Sequence, residues 1–99
     1  MDDRKVLLVV ATDIEPAMEE EFNTWYNKEH IPELLSVPGV LSANRYMAVE
    51  GEPKYFTLYE HANERVRSQV EYRKVLETEW AMRIKPYLKN FRRILLKRI

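Results

Sequence analysis

Glu29 and His30 are neighbours, and Trp25 and Tyr26 stand one helical turn before them, so a carboxylate, an imidazole and two large aromatic rings share one short segment. An imidazole titrates near neutrality and can take a proton from a bound molecule and return it. On a helical wheel His30 lies beside Tyr26 at the edge of an apolar stripe, which suits the wall of a cavity. The plainer role for His30 is to cap a helix end, with its ring bonded to loop carbonyls before Pro32. Glu29 falls inside the stripe with Phe22 and Trp25, where a lone carboxylate is costly and requires a cation or a proton. Arg45 or an arginine of the C-terminal tail is its expected partner; without one, its pKa rises and the group becomes available for acid–base work. Trp25 and Tyr26 offer a flat wall to a planar ligand, and Tyr46, Tyr55 and Tyr59 offer hydroxyls that can orient a carbonyl or a phenol. For each aromatic the simpler role is core packing.

Other chemistries are poorly supported. The chain has no cysteine, which removes disulfides, thiolate nucleophiles and thiolate-bound metals. Two histidines with Glu29 or Glu60 make no spaced metal motif, and in a strand Glu60 and His61 point to opposite faces, so no metal is expected. With only Gly39 and Gly51 there is no glycine loop to cradle phosphate, and no serine sits in a nucleophile elbow. No cofactor is expected. Sixteen basic residues balance sixteen acidic ones, so no net field draws the chain to nucleic acid or to an anionic membrane. The tail cations Arg92, Arg93, Lys97 and Arg98 spread over both faces of a strand and are expected to meet the acidic first helix or a partner subunit. No apolar run is long enough for a membrane span or a signal peptide, which makes the cytoplasm the expected compartment.

The elements that must position these residues follow from periodicity. Val6 to Ala11 is apolar at consecutive positions, the mark of a central strand covered on both faces. Asp13 to Glu15 with Pro16 predicts a capped helix start, and Met18, Phe22, Trp25 and Tyr26 form the stripe that faces the sheet. Pro32 is expected to push Ile31 out of helical geometry and end that helix, leaving a turn from Pro32 to Ser36. Strands are predicted over about Val40 to Val49 and Lys54 to His61, joined through Gly51-Glu52-Pro53 and paired antiparallel. Asn63 is a plausible cap for helical sequence reaching about Lys85, with Tyr72, Leu76 and Trp80 as its stripe and a break near Glu71. A last strand follows from Tyr87 onward. The order β-α-β-β-α-β is the split pattern of ferredoxin-like α+β domains, here a single domain over 1–99.

Two helices on one face of a four-stranded antiparallel sheet leave the other face open, yet the strands carry large side chains on both. A second copy packed sheet to sheet with twofold symmetry covers that face. Trp25-Tyr26, Glu29-His30-Ile31-Pro32, Leu35, Pro38-Gly39-Val40, Ala43, Arg45-Tyr46, Pro53-Lys54-Tyr55 and Leu58-Tyr59-Glu60 resemble the dimeric α/β-barrel superfamily, nearest to its small EthD-like proteins. The tail pieces Lys85-Pro86 and Asn90-Phe91-Arg92-Arg93 fit the same pattern. The resemblance implies a homodimer and one of several activities carried by that superfamily, among them cofactor-free cyclases, isomerases and monooxygenases.

The reading for function is a cofactor-independent isomerase, cyclase or dehydratase acting on a small aromatic or polyketide-like molecule. His30 moves protons, Glu29 assists it, Trp25, Tyr26 and Arg45 shape the pocket, and Tyr46 or Tyr59 polarises an oxygen. His61 joins this group if Tyr55, Thr57, Tyr59 and His61 form the helix-facing side of their strand, a choice that alternation leaves open. The alternatives are a non-catalytic dimeric binding or accessory protein and a cofactor-free monooxygenase of a phenolic substrate.

Overall fold

A computed structural model describes residues 4–99. Four strands form one antiparallel sheet in the order β2-β3-β1-β4, with β1 at Val6–Ile14, β2 at Val40–Met47, β3 at Tyr55–His61 and β4 at Leu88–Lys97. Helical sequence between β1 and β2 and between β3 and β4 completes the ferredoxin-like β-α-β-β-α-β order, and the apolar sides of both layers pack on the same face of the sheet.

The register decides which face that is. Val6, Leu8, Val10 and Thr12 of β1 stand opposite His61, Tyr59, Thr57 and Tyr55 of β3, and this row is buried or nearly so. The tyrosine side of β3 therefore meets the helices. The outer side carries Leu7, Val9, Phe56, Leu58, Ile94 and Leu96 in facing rows, with Ile94 48% and Leu96 45% exposed. That apolar outer face is why β1 reads as doubly covered in the sequence.

The first helical layer departs from expectation at Pro32. A 3-10 turn over Pro16–Met18 leads into α1 (Glu19–Trp25), a π turn spans Tyr26–His30, and α2 (Ile31–Leu35) runs on through the proline. Ile31 keeps helical dihedrals at φ −64°, ψ −49°, and its N–H donates to the Tyr26 carbonyl, five residues back. A proline normally clashes with the carbonyl one α-turn earlier and lacks the N–H to bond it; the wider turn relieves both problems, so the helix continues where it was expected to stop. Asp13 does not cap the helix start either. Its carboxylate accepts from the Lys54 N–H at 2.8 Å and from Asn90 Nδ2 at 2.8 Å, tying the start of β3 and the entry to β4 to β1.

The second layer is interrupted twice. Asn63 does not cap a long helix: its Oδ1 accepts from the Arg65 N–H at 2.9 Å in the turn that leads into a 3-10 segment over Val66–Ser68, which has no side-chain cap. Gln69 is extended, two residues before the expected break, and α3 (Val70–Leu76) follows. A second break, unforeseen in the sequence, falls at Thr78, whose hydroxyl accepts from the Ala81 N–H at 3.1 Å and starts α4 (Glu79–Ile84). An N-cap threonine in mid-sequence is a start signal that a continuous stripe conceals.

The core is divided. Leu8, Leu34, Val37, Val40, Tyr59, Val66, Tyr72 and Val75 form one cluster; Ile14, Phe22, Trp25, Tyr26, Ala81 and Ile84 form another. Between them the helices do not close on the sheet.

Candidate functional site

The gap between the clusters is a cavity of about 110 Å³, walled by Leu8, Val10 and Tyr59 from the sheet, by Phe22, Trp25, Tyr26, His30 and Leu34 from the first helical layer, and by Tyr72, Ala81 and Ile84 from the second. Phe91, Arg93, Arg67 and Lys85 also line it. The volume is close to the roughly 150 Å³ of an engineered apolar cavity that takes benzene, so it suits a single ring or a molecule of that size without rearrangement.

His30 enters this wall because the π turn carries it there. Its ring stacks on Trp25 with centroids 4.4 Å apart and meets Tyr26 edge-on at 5.1 Å. It is 7% exposed, and its Nδ1 is buried without a hydrogen-bond partner. The capping role, which would have bonded the ring to loop carbonyls, is not supported by that nitrogen. Burial, reinforced by the charge of Lys85, pulls the imidazole pKa down to about 4, so at neutral pH the ring is uncharged and can accept a proton. Tyr59 is the second such group: it is 1% exposed, its hydroxyl has no hydrogen bond of ordinary geometry, and its pKa is pushed well above the ordinary phenol value by burial, with the neighbouring Tyr26 phenol adding to the effect.

The other residues singled out in the sequence lie elsewhere. Glu29 does not line the cavity and pairs with no arginine. Its Oε2 accepts from the Trp25 indole N–H at 3.0 Å and from the Thr78 hydroxyl at 2.7 Å, so the carboxylate fixes the indole and joins the two helical layers at the cap of α4. Arg45 projects toward the first helical layer at the other end of the sheet. Its guanidinium lies 4.5 Å from the Tyr26 ring centroid and donates to Asn23 Oδ1 at 2.7 Å and Asn27 Oδ1 at 3.2 Å. Tyr46 pairs with Phe56 on the outer face and is 53% exposed, so it has no access to the cavity. His61 is on the helix-facing side but sits behind Tyr72, whose hydroxyl is 3.4 Å from His61 Nε2; burial holds its pKa near 4 as well, with Arg67 adding to the effect. Of the named group, the fold brings together His30, Trp25, Tyr26 and Tyr59.

Three cations at the cavity were not anticipated as site residues. Arg67 comes from the 3-10 turn after β3, Lys85 from the end of α4, and Arg93 from the helix-facing side of β4, opposite Val10. They are far apart in sequence and share no spacing, so only the fold gathers them. The acidic first helix uses other partners: Glu19 pairs with Lys54 at 2.6 Å and accepts from the Tyr55 hydroxyl, and Glu21 pairs with Arg83. Lys97 pairs with Glu64 at 3.2 Å. Of the tail cations expected to meet the first helix or a partner subunit, Lys97 thus pairs with the turn after β3 instead of with the first helix. The turn that holds Arg67 is anchored at Gly39, which has φ +92° and whose carbonyl accepts from the Ala62 N–H at 2.8 Å, and by Gln69 Nε2 donating to the Pro38 carbonyl at 2.7 Å. Among the described residues no group of three or more His, Asp or Glu side chains could hold a metal ion, and no helix is long and apolar enough to cross a membrane.

Solved structures with the same architecture are distant in sequence. The chain is similar to a conserved protein from Methanosarcina mazei Go1 at TM-score 0.73 and 18% identity, over 98% of this chain and 95% of that one. It is similar to an EthD family protein of Bacillus halodurans C-125 at TM-score 0.67 and 14% identity, over 95% of this chain and 99% of that one. A protein of Shewanella loihica PV-4, provisionally described as a monooxygenase, aligns at TM-score 0.71 and 17% identity, over 100% and 98%. Such identities establish a shared fold, as the sequence resemblance implies, and leave each protein's chemistry its own. No curated protein matches the chain. A family model matches residues 5–97, nearly the whole length, and the chain accordingly belongs to the domain of unknown function family DUF4286.

Proposed function

We propose that the protein binds a small planar molecule in the cavity between its two core clusters and transfers a proton to or from it through His30. The observation that carries this reading is the pair of unpartnered polar atoms, His30 Nδ1 and Tyr59 Oη, on residues that line one apolar cavity. A buried polar atom without a partner costs about 1–3 kcal/mol, and a bound molecule with one donor and one acceptor removes that cost for both. The Trp25–His30 stack fixes the imidazole in the cavity wall, and Tyr59 supplies a hydroxyl to orient an oxygen. The reaction classes that fit are isomerisation, cyclisation and dehydration without a bound cofactor. Glu29 supports this arrangement from outside the cavity as a positioning residue, through the Trp25 indole.

The monooxygenase reading is kept because proteins of this fold, the Shewanella loihica one among them, carry that description; it requires an electron-rich ligand and oxygen uptake. Native mass spectrometry of the purified protein identifies what the cavity retains. Once a turned-over molecule is in hand, His30→Ala should leave the fold intact by circular dichroism and abolish turnover. Unchanged turnover removes His30 from the mechanism, and oxygen consumption coupled to turnover selects the monooxygenase. A ligand that is bound and never converted leaves a binding protein.

We also infer a homodimer formed by the outer sheet faces, placed in the cytoplasm. Leu7, Tyr46, Ile94 and Leu96 are 37–53% exposed on that side, an apolar surface of the kind that marks an interface. Light scattering at micromolar protein should give twice the 11.9 kDa chain mass, and Ile94→Asp should return the protomer; a wild-type protomer at that concentration refutes the dimer.

A further inference from the structure

We infer that the ligand is a small planar carboxylate, with its ring in the apolar cavity and its charge on Arg67, Arg93 and Lys85. The inference rests on the cavity being the ligand site and adds the class of molecule.

The chain carries equal numbers of acidic and basic residues, yet the cavity lining holds two arginines, a lysine and no aspartate or glutamate. Four cations outside the cavity are matched by carboxylates, Lys54 with Glu19, Arg83 with Glu21, Lys89 with Glu15 and Lys97 with Glu64, and those without such a pair elsewhere do not line this apolar cavity. Arg67, Lys85 and Arg93 form no ion pair among the described residues. Arg67 is the most telling, since its Nε is buried without a hydrogen-bond partner while its guanidinium carbon sits 5.7 Å from the Tyr72 ring centroid. Guanidinium groups bind carboxylates through paired N–H donors, and cations grouped along one cavity favour an anion there over a neutral molecule. A bare inorganic anion leaves the apolar walls unused, and a neutral ring leaves the cations unmatched; a carboxylate attached to a ring answers both.

The same charge arrangement acts on the bases of the site. Arg67 and Arg93 both draw down the Tyr72 phenol against the upward pull of its burial, and Lys85 adds to the burial that keeps His30 neutral. A carboxylate seated among these cations supplies the missing counter-charge and raises the basicity of His30 toward the range useful at neutral pH.

The test is calorimetric titration of the full chain with benzoate, benzamide and inorganic phosphate at low salt. Benzoate should bind about tenfold or more tightly than its neutral isostere, as expected for charge-assisted hydrogen bonds, and phosphate more weakly than either. The preference for benzoate should shrink in Arg67→Gln, and in Arg93→Gln and Lys85→Gln, whose exposed positions keep the test open if Arg67→Gln does not fold. Equal binding of benzoate and benzamide, or a preference that survives all three variants, overturns the carboxylate while the cavity stands as a ligand site. Phosphate binding as tight as benzoate overturns the role of the ring. Absence of binding by all three probes at millimolar concentration overturns the inference together with the cavity reading beneath it.

Discussion

Acid should unfold this protein through its histidines before its carboxylates begin to matter. His30 and His61 are the only histidines, both are buried, and the folded pKa of each lies near 4 against an ordinary 6.5. Below 6.5 the unfolded chain takes up protons that the native chain refuses until about pH 4, so stability is flat above neutrality and falls as the pH drops through that window. For His30 alone the loss between pH 7 and pH 5 is about 2 kcal/mol, taking roughly 1.4 kcal/mol per unit and the partial protonation at pH 5; His61 acts in the same direction. Asp13 and Glu19 have pKa values below their ordinary 3.8 and 4.5 because they accept hydrogen bonds from Asn90, Lys54 and Tyr55, and their share is lost only at still lower pH. Urea unfolding at pH 7 and pH 5, followed by circular dichroism, reads the difference as a shift in midpoint at constant slope. His30→Gln should keep the His61 share and lose the other, whatever the substitution itself costs at pH 7. Proton NMR gives a direct check, since neither imidazole of the folded wild-type chain should titrate between pH 8 and pH 5. A midpoint above pH 6 for His30, or an unchanged pH dependence in His30→Gln, refutes the buried, neutral imidazole.

Tyr59→Phe removes a hydroxyl that lacks a partner, so stability should change by less than about 0.5 kcal/mol or rise, while affinity for a cavity ligand falls; a loss above about 1.5 kcal/mol by urea unfolding would mean the hydroxyl is bonded within the protein. Gly39→Ala combines a left-handed φ of +92° with a Cβ placed 2.5 Å from Val66 Cγ2, and should cost about 2–3 kcal/mol in the same assay. Thr78→Val deletes both the cap of α4 and the bond to Glu29, with an expected loss of about 1–2 kcal/mol and a change in Trp25 fluorescence as the indole loses its fixed acceptor. Thr78→Ser should restore both; if it does not, the hydroxyl is not what matters.

The sheet and the order of elements are legible in the residues because local pattern and tertiary demand agree. Val6 to Ala11 reads as a central strand and is one, and Phe22, Trp25 and Tyr26 read as a buried stripe and are buried. Pro32 misleads because local sterics predict a stop, whereas a single widened turn upstream removes the clash. The face of β3 is unreadable because Tyr55, Thr57, Tyr59 and His61 on one side and Phe56 and Leu58 on the other are both bulky enough to bury. His30, Trp25, Tyr26 and Tyr59 are found in the sequence because three share a helix and the fourth is an aromatic in a strand that crosses below it. Glu29 is found too, for the wrong partner. Arg67, Lys85 and Arg93 escape notice because their convergence depends on a turn, a helix end and an edge strand meeting in space.

The π turn makes the site sensitive to chain length in a way that substitution does not probe. An extra residue in one turn rotates everything beyond it by roughly 100° relative to a regular helix. Loss of one residue between Trp25 and His30 would let the segment anneal into an unbroken α-helix with ordinary i to i+4 bonds and would swing the imidazole off the wall it now occupies. Such a deletion would leave a folded domain whose cavity has lost its imidazole, so relatives that differ by one residue here would keep the scaffold and present a different wall.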